Sequence, residues 1–234
     1  MIINQSNRIS RVFTYSIFLF FLFTGNALLA QNKVDDQGRK QGAWEKKQEN
    51  GKVKYRGQFK DDTPYGKFKY YDEKGVLETI MDFQSADTTL ATHYHNNGKK
   101  AAYGYYVNQK KEGKWRFYDK KGVLANEQLY KDGKKNGELK VYNLNGTISR
   151  EAFFVDDIEN GYRKTYDSEG VLLTEGEIKD GQPDGMQIWY RSGKINIKGA
   201  YKHSVPDGEW VFYDADGKPY RTELYDLGVK IIKK

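Results

Sequence analysis

Cysteine is absent from this sequence of 234 residues, and proline occurs only four times. Without cysteine, no disulfide can stabilise an exported domain and no lipid can be attached to a cysteine behind a leader, so strand pairing and packing must hold the fold. Helical periodicity is also missing after residue 30. With 15% aromatic residues and 24 glycines, the composition favours short strands separated by turns, which predicts an all-β protein.

The sequence carries none of the short motifs of a catalytic or cofactor site, such as a nucleophile elbow, a phosphate loop or a zinc-binding helix. His93 and His95 alternate onto one face of a strand, a spacing that can hold a metal, but no carboxylate or cysteine nearby completes a ligand set. The paired aspartates at 61–62 and 156–157 fall in predicted turns, where aspartate bonds its own backbone. We therefore expect no enzyme, no cofactor and no metal.

The first 30 residues have the layout of a secretory signal peptide. Arg8 and Arg11 precede an apolar stretch over residues 12–23, and the sequence Ala27-Leu28-Leu29-Ala30 before Gln31 puts a small residue at the probable cut. Hydroxyl side chains interrupt the apolar stretch, which is shorter than the ~20 residues that span a bilayer, so a cleaved signal is favoured over an uncleaved membrane anchor. We predict cleavage near Ala30 and a periplasmic or extracellular mature chain, residues 31–234, that is not a lipoprotein.

The net charge of the whole sequence is +7, and removal of residues 1–30 with their two arginines leaves +5. The positive charges are spread through many lysine-rich turns. A nucleic-acid-binding surface would gather them on one face, so we interpret the excess as solubilising and expect no nucleic-acid partner. Weak attraction to an anionic lipid surface stays open.

Glycines recur at a constant interval throughout the mature chain. The first glycine position of each unit falls at residues 42, 66, 89, 113, 137, 161, 185 and 208, so every step is 23 or 24 residues. Thr89 replaces glycine in the third unit. A second glycine follows nine residues later, or eight in the seventh unit, and we predict that it closes a hairpin turn: Gly51, Gly75, Gly98, Gly122, Gly146, Gly170, Gly193 and Gly217.

Bulky and small residues repeat in the same register. Five residues after the first position, seven of the eight units carry a tyrosine: Tyr71, Tyr94, Tyr118, Tyr142, Tyr166, Tyr190 and Tyr213. A bulky apolar residue stands eight after the second glycine, and a small residue often stands six after it, which suggests close approach of a neighbouring ring or backbone.

Each unit therefore predicts a short first strand such as residues 114–118, a tight turn, a second strand, and a longer connection such as residues 131–137. Eight such hairpins give about 16 strands in an elongated, single-layer antiparallel meander roughly 75 Å long, held by contacts between neighbouring units.

The unit from Gly113 to Leu124, and likewise Gly208 to Gly217, resembles the MORN repeat (membrane occupation and recognition nexus), in particular a bacterial variant whose members are often labelled antitoxin components. The resemblance extends over residues 35–230. It implies a twisted single-layer sheet used for protein or lipid contact, with no intrinsic catalysis. A secretory signal fits poorly with an antitoxin acting in the cytosol.

The tyrosine row is the candidate binding surface, because aromatic side chains on a single-layer sheet cannot all be buried. The alternative is that the tyrosines only stack on each other. We predict a scaffold for an unidentified protein partner; a cell-wall or envelope-glycan-binding module is the second hypothesis, since aromatic hairpins of similar style bind choline on Gram-positive surfaces. Exposed strands at the ends of the sheet also permit end-to-end self-association.

Overall fold

The computed structural model describes residues 32–232, so the predicted signal peptide lies outside the described residues. Within this range every regular element is a β-strand, and no helix there is long and apolar enough to cross a membrane. The strands are β1 Lys33–Val34, β2 Lys40–Lys47, β3 Val53–Lys60, β4 Thr63–Tyr71, β5 Leu77–Phe83, β6 Thr88–Tyr94, β7 Lys100–Val107, β8 Lys110–Tyr118, β9 Leu124–Lys131, β10 Lys134–Tyr142, β11 Ile148–Val155, β12 Ile158–Tyr166, β13 Leu172–Lys179, β14 Gln182–Arg191, β15 Lys194–Lys202, β16 Val205–Tyr213, β17 Pro219–Asp226 and β18 Val229–Ile231.

Each strand pairs antiparallel with the next one along the chain, from β1 to β18, in one open sheet. The predicted all-β meander is confirmed. Strands β2 to β17 form the eight predicted hairpins, which we number from hairpin 1 (β2–β3) to hairpin 8 (β16–β17). The two additional strands are short: β1 has two residues and β18 has three.

The turns within most hairpins follow the predicted pattern of aspartate or another polar residue closed by glycine. In hairpin 4, the Asp119 carboxylate accepts from the N–H groups of Lys121 and Val123, at 2.8 and 2.9 Å. Gly122 donates its N–H to the Asp119 carbonyl at 2.9 Å and has a φ of 87°. This left-handed conformation is the reason that glycine recurs there.

The connections between hairpins are shorter than predicted. We expected a connection over residues 131–137, but only Asp132 and Gly133 form the turn, and β10 begins at Lys134. Gly137 instead lies inside β10 with a φ of 106°, at a β-bulge that separates the Lys135–Tyr130 pair from the Leu139–Gln128 pair. The prediction was wrong because a positive φ is needed in bulges as well as in turns, and glycine supplies both.

The third hairpin shows what the missing glycine changes. Strands β5 and β6 pair without a register shift from Phe83–Thr89 to Thr79–His93, so the bulge that the other connections carry is absent where Thr89 replaces glycine. A longer loop over residues 84–87 makes the connection instead. The degenerate repeat therefore keeps the meander and loses the bulge.

One face of the sheet, which we call the ring face, carries the packed aromatic side chains. Its residues include Trp44, Phe59, Phe68, Tyr106, Trp115, Phe117, Tyr130, Tyr201, Trp210 and Tyr225, which contact one another with ring centroids 4.9 to 6.4 Å apart. Phe68 and Trp115 are fully buried although the sheet has only one layer. Gly57, Gly104 and Gly199 lie directly beneath the rings of Phe68, Trp115 and Trp210, where a Cβ atom would overlap the ring. The predicted close approach at the small residue is confirmed.

The last strand repeats the geometry with which each hairpin begins. In β17–β18, Asp226 pairs with Val229 and Leu224 with Ile231, as Lys60 pairs with Thr63 and Gln58 with Tyr65 in β3–β4. At the other end, the side chain of Asn32 occupies the outer edge of β2: its amide nitrogen donates to the Glu45 carbonyl at 3.0 Å, and its oxygen accepts from the Glu45 N–H at 2.9 Å.

Candidate functional site

The seven predicted tyrosines form a row on the face opposite the ring face, which we call the tyrosine face. In β8, Trp115 and Phe117 contact each other on the ring face, while the intervening Arg116 points to the other side and bonds Glu127. Tyr142, a member of the row, donates its hydroxyl to the same Glu127. Each tyrosine is half-buried and ends the first strand of its hairpin, except Tyr190, which is the second-last residue of β14.

The tyrosines do not stack on one another, because consecutive members of the row are separated by a full hairpin, about 9.6 Å across two strands. Among the ring pairs found in residues 32–232, none joins two members of the row. The tyrosine rings are therefore held by other side chains. The alternative that they only stack on each other does not fit these contacts.

Three tyrosines at the centre of the row donate to glutamates fifteen residues earlier in the chain. The distances are 3.2 Å from Tyr142 to Glu127, 2.7 Å from Tyr166 to Glu151, and 2.6 Å from Tyr190 to Glu175. We call these six residues the tyrosine–glutamate ladder. Burial, followed by the hydrogen bond to Glu151, raises the pKa of Tyr166 to about 12. The hydrogen bond to Glu175 raises the pKa of Tyr190 to about 12 as well.

A basic side chain pairs with each glutamate of the ladder. Arg116 Nε lies 2.7 Å from Glu127, Lys140 Nζ lies 3.6 Å from Glu151, and Lys164 Nζ lies 3.3 Å from Glu175. The hydrogen bond from Tyr190 and the nearby Lys164 lower the pKa of Glu175, which stays ionised. Sequence reasoning missed this ladder, although a signal was present: units four, five and six all carry glutamate five residues after the second glycine.

The tyrosine face also exposes apolar side chains between the charges. Tyr65, Tyr105 and Met186 are each more than two-fifths exposed, at 44%, 44% and 43%. Tyr65 pairs with Gln58 and Tyr105 with Glu112, and each of these pairs lies next to the bulge of its connection. Charges fixed in pairs and exposed aromatic or thioether side chains thus alternate along this face.

The two histidines that could have begun a metal site have other contacts. His93 lies on the ring face, stacked on Trp115 with centroids 6.0 Å apart, and its Nδ1 is hydrogen-bonded to the Thr79 hydroxyl at 3.0 Å. Burial, and then the charge of Lys111, lower the pKa of His93. His95 donates Nε2–H to the Tyr118 carbonyl in the neighbouring turn at 2.9 Å. No cluster of three or more ligand-type side chains occurs among residues 32–232.

The paired aspartates form the turns between hairpins, as predicted. Asp61 and Asp62 have φ values of 50° and 64°, and Asp62 accepts a hydrogen bond from the Lys40 N–H at 2.9 Å. Asp157 accepts from the Lys135 N–H at 2.8 Å in the same way. These carboxylates therefore join consecutive hairpins.

A cavity of about 490 Å³ lies at the turn ends of hairpins 7 and 8, and we call it the tip pocket. Its lining includes Arg191, Asn196, Phe212, Asp214, Tyr220 and Arg221. Arg221 stacks on the Phe212 ring with its guanidinium carbon 3.9 Å from the centroid. Basic and aromatic side chains meet here within a few ångströms.

Comparison with known families identifies four segments, at residues 40–61, 111–132, 135–156 and 206–226. These segments match the MORN repeat variant. Each one begins at or next to the first strand of a hairpin, contains both of its strands or nearly so, and corresponds to hairpin 1, 4, 5 or 8. The MORN-matching segments include both units on which the sequence resemblance was based. The chain is therefore a repeat protein built from hairpins, of which four match the MORN variant.

Two solved structures are similar to part of this chain. One is a crystal structure of TarM, with 12% sequence identity and a TM-score of 0.32 over 40% of this chain and 19% of that chain. The other is a mutant of S. aureus TarM in complex with fondaparinux, alpha-GlcNAc-glycerol and UDP, with 11% identity and a TM-score of 0.32 over 41% of this chain. The aligned region spans about a fifth of either TarM chain, 19%. No curated protein matches this chain.

Proposed function

We propose that this chain is a non-catalytic scaffold that binds a protein partner along its tyrosine face. The observation that carries the proposal is the exposure of Tyr65, Tyr105 and Met186 on the face that also carries the tyrosine–glutamate ladder. Aromatic residues and methionine are enriched at the centres of protein interfaces, where they supply most of the binding energy.

The size and rigidity of the face support the same function. Sixteen strands give a strip about 75 Å long and about 18 Å wide, or roughly 1,300 Å², whereas a standard interface needs only about 800 Å² on each partner. Because the ladder already fixes the rotamers of its tyrosines, glutamates and lysines, a partner loses little further side-chain entropy on binding. A single-layer sheet offers this surface without a second domain.

Affinity capture from envelope extracts tests the proposal. The mature chain is expected to retain one protein in stoichiometric amount, and the double variant Tyr105→Ala, Met186→Ala is expected to lose it. Leu144→Ala is the matched control, because Leu144 is 73% exposed in a turn, away from the tyrosine face. Recovery of no protein over several growth conditions, or equal recovery by the double variant, would contradict the proposal.

Export is the second part of the proposal and rests on the pattern of residues 1–30. We propose that the signal is removed near Ala30 and that the sheet works in the periplasm or outside the cell. N-terminal sequencing of the mature protein from fractionated cells is expected to begin at or near Gln31. An uncleaved chain in the cytosol would contradict export. That result would favour an antitoxin role, which requires a cytosolic protein.

A further inference from the structure

The turns of odd-numbered hairpins interlock with the turns that follow them. The first polar residue of each odd turn donates to a backbone carbonyl of the next turn: Gln48 to Asp72, His95 to Tyr118 and Asn143 to Asp167, at 2.7, 2.9 and 3.2 Å. An asparagine two residues later repeats the contact: Asn50 to Glu73, Asn97 to Lys120 and Asn145 to Ser168, at 2.9, 2.7 and 2.7 Å. These side chains bridge adjacent hairpin tips.

Hairpin 7 breaks this arrangement. Its turn is one residue shorter, with only Ser192 and Gly193 between the strands at φ values of 51° and 74°. Arg191 and Ser192 replace the polar residue and the asparagine, and within residues 32–232 neither donates a hydrogen bond to the turn of hairpin 8. Only Lys194 Nζ reaches it, at the Ala215 carbonyl, 2.9 Å away. The tip pocket lies beside this shortened turn, between the tips of hairpins 7 and 8.

The lining of the tip pocket has a positive charge and an aromatic wall. Arg191, Lys194 and Arg221 contribute three cations, and Asp214 contributes a carboxylate that already accepts the N–H groups of Asp216 and Lys218 at 2.9 Å. The Arg221 Nε also lies 3.6 Å from Glu223, which partly balances it. Tyr220 is 64% exposed beside these charges and offers a free ring face.

The pocket also offers hydrogen-bond acceptors. The carbonyls of Tyr213 and Asp214 correspond to those that odd turns engage elsewhere, and they receive no side-chain donor from the turn of hairpin 7 in the described part of the chain. The Asp214 carbonyl already accepts the Gly217 N–H at 3.1 Å, so a ligand hydroxyl would be its second donor, as Gln48 is at Asp72. A ligand that uses all of these groups brings donors as well as a negative charge. Sulfate has no donors, hydrogen phosphate has no apolar face to pack on Tyr220, and a neutral sugar leaves the cations without a counter-charge.

We propose that the tip pocket binds a carboxylated sugar residue. The carbon face of the sugar ring packs on Tyr220, the carboxylate accepts from Arg191 and Arg221, and hydroxyl groups donate to the turn carbonyls. This function goes beyond protein binding on the tyrosine face and is centred on the turn ends of hairpins 7 and 8, where Tyr213, the last member of the tyrosine row, is part of the lining. The sugar acid is either free or a residue of a glycan, and the two sources differ in whether neighbouring residues add affinity.

Calorimetric titration of the mature chain tests the proposal with galacturonic acid, its linear trimer, the methyl-esterified trimer and sodium phosphate. The acidic trimer is expected to bind at least tenfold more tightly than its ester, because the ester cannot form charge-assisted hydrogen bonds. Equal affinities for monomer and trimer indicate a free sugar acid, whereas tighter binding of the trimer indicates a glycan. Phosphate or the ester binding as tightly as the acidic trimer would overturn the proposal, as would the absence of binding at millimolar acid.

Two sets of variants locate the site. Arg191→Ala and Tyr220→Ala are each expected to weaken binding about tenfold, and Arg56→Ala and Tyr65→Ala are matched controls on exposed residues near the other end of the sheet. Replacing residues 191–193 with the sequence of residues 143–146 removes Arg191 and supplies amide donors to the turn carbonyls, as Asn143 and Asn145 do in hairpin 5, so it is expected to abolish binding while the far-UV spectrum is retained. Binding that survives this replacement would place the sugar elsewhere. Protein capture on the tyrosine face should be unaffected by Arg191→Ala, Tyr220→Ala and the turn replacement, so the two proposals can fail separately.

Discussion

At the scale of single residues, the ring face depends on glycines, which have no side chain to occupy the space under the aromatic rings. Trp115 is fully buried in a single-layer sheet because Gly104 lets its indole ring lie against the backbone of β7. The indole Nε1 donates to the Tyr105 carbonyl at 2.9 Å, which fixes the ring in this position. The ring can therefore not move aside for a larger neighbour.

Gly104→Ala is expected to lower the free energy of unfolding by about 1–3 kcal/mol, the range for overpacking a filled core. Gly176→Ala is the matched control, because the atoms above Gly176 belong to the amide end of the flexible Gln187 side chain. Its loss should be less than half as large. Urea unfolding followed by tryptophan fluorescence measures both, and equal losses would show that the indole ring is not the obstacle.

The tyrosine–glutamate ladder is expected to weaken at high pH. The pKa values of Tyr166 and Tyr190 are raised to about 12 from an ordinary value of 10.0, so folding favours the protonated phenols. Their contribution to stability is complete below pH 10 and is lost as the pH rises toward 12. Urea unfolding at pH 9 to 12 should show a smaller decline for the Tyr166→Phe, Tyr190→Phe variant than for the natural chain. Parallel curves would contradict this assignment.

At the scale of strands and turns, the bulge glycines have a role separate from the glycines under the rings. Gly113 has a φ of 65° and open space around its Cα, whereas Thr89 occupies the same repeat position in a strand without a bulge. Backbone conformation, rather than packing, therefore requires glycine at the bulge.

Gly113→Ala is expected to cost about 1–2 kcal/mol, because a non-glycine residue must adopt the left-handed conformation. Asparagine tolerates this conformation better than other residues, so Gly113→Asn should cost less than Gly113→Ala. Thr89→Ala serves as the control and should change stability by no more than about 0.5 kcal/mol. Thermal and urea unfolding measure all three, and a loss at Thr89 equal to that at Gly113 would contradict the assigned roles.

The number of hairpins and the positions of their turns could be predicted from the sequence because glycine marks each turn by a local backbone requirement. The bulges could not, since the same glycine conformation serves inside a strand, as at Gly137. The recurrence of tyrosine at one repeat position could be predicted from the sequence, but the glutamates that these tyrosines contact could not. Which columns share a face depends on pairing register, and the shift between Phe117 and Tyr118 illustrates how one residue can change it.

At the scale of the whole molecule, the ring face is not uniform. Rings cluster around Phe68, Trp115 and Trp210, but at hairpin 6 the corresponding position is Arg163, which bonds Glu159 at 2.7 Å. Glu159 also pairs with Arg150, and its side chain is only 10% exposed. A charged cluster thus separates two stretches of aromatic packing.

The central hairpins are expected to open first in acid. Burial alone would raise the pKa of Glu159, but hydrogen bonds from Arg163 and Arg150 lower it overall, so its stabilising effect is lost as the pH falls through that lowered pKa. Native-state hydrogen exchange near pH 4 should show faster opening of β11–β13 than of β7–β9. In the Glu159→Gln variant, this difference should no longer vary with pH. Uniform exchange along the sheet would contradict the expectation.

The covered edges of the sheet have a consequence for association between molecules. Backbone groups at an open edge are a template for further strands, yet Asn32 and β1 already bond to β2, and β18 already bonds to one end of β17. A second copy that added in register would first have to displace segments of the molecule it joins. We therefore expect fibre growth to be disfavoured. Because each molecule then stays a separate sheet, the distance between two contact points on it is set by the number of hairpins between them.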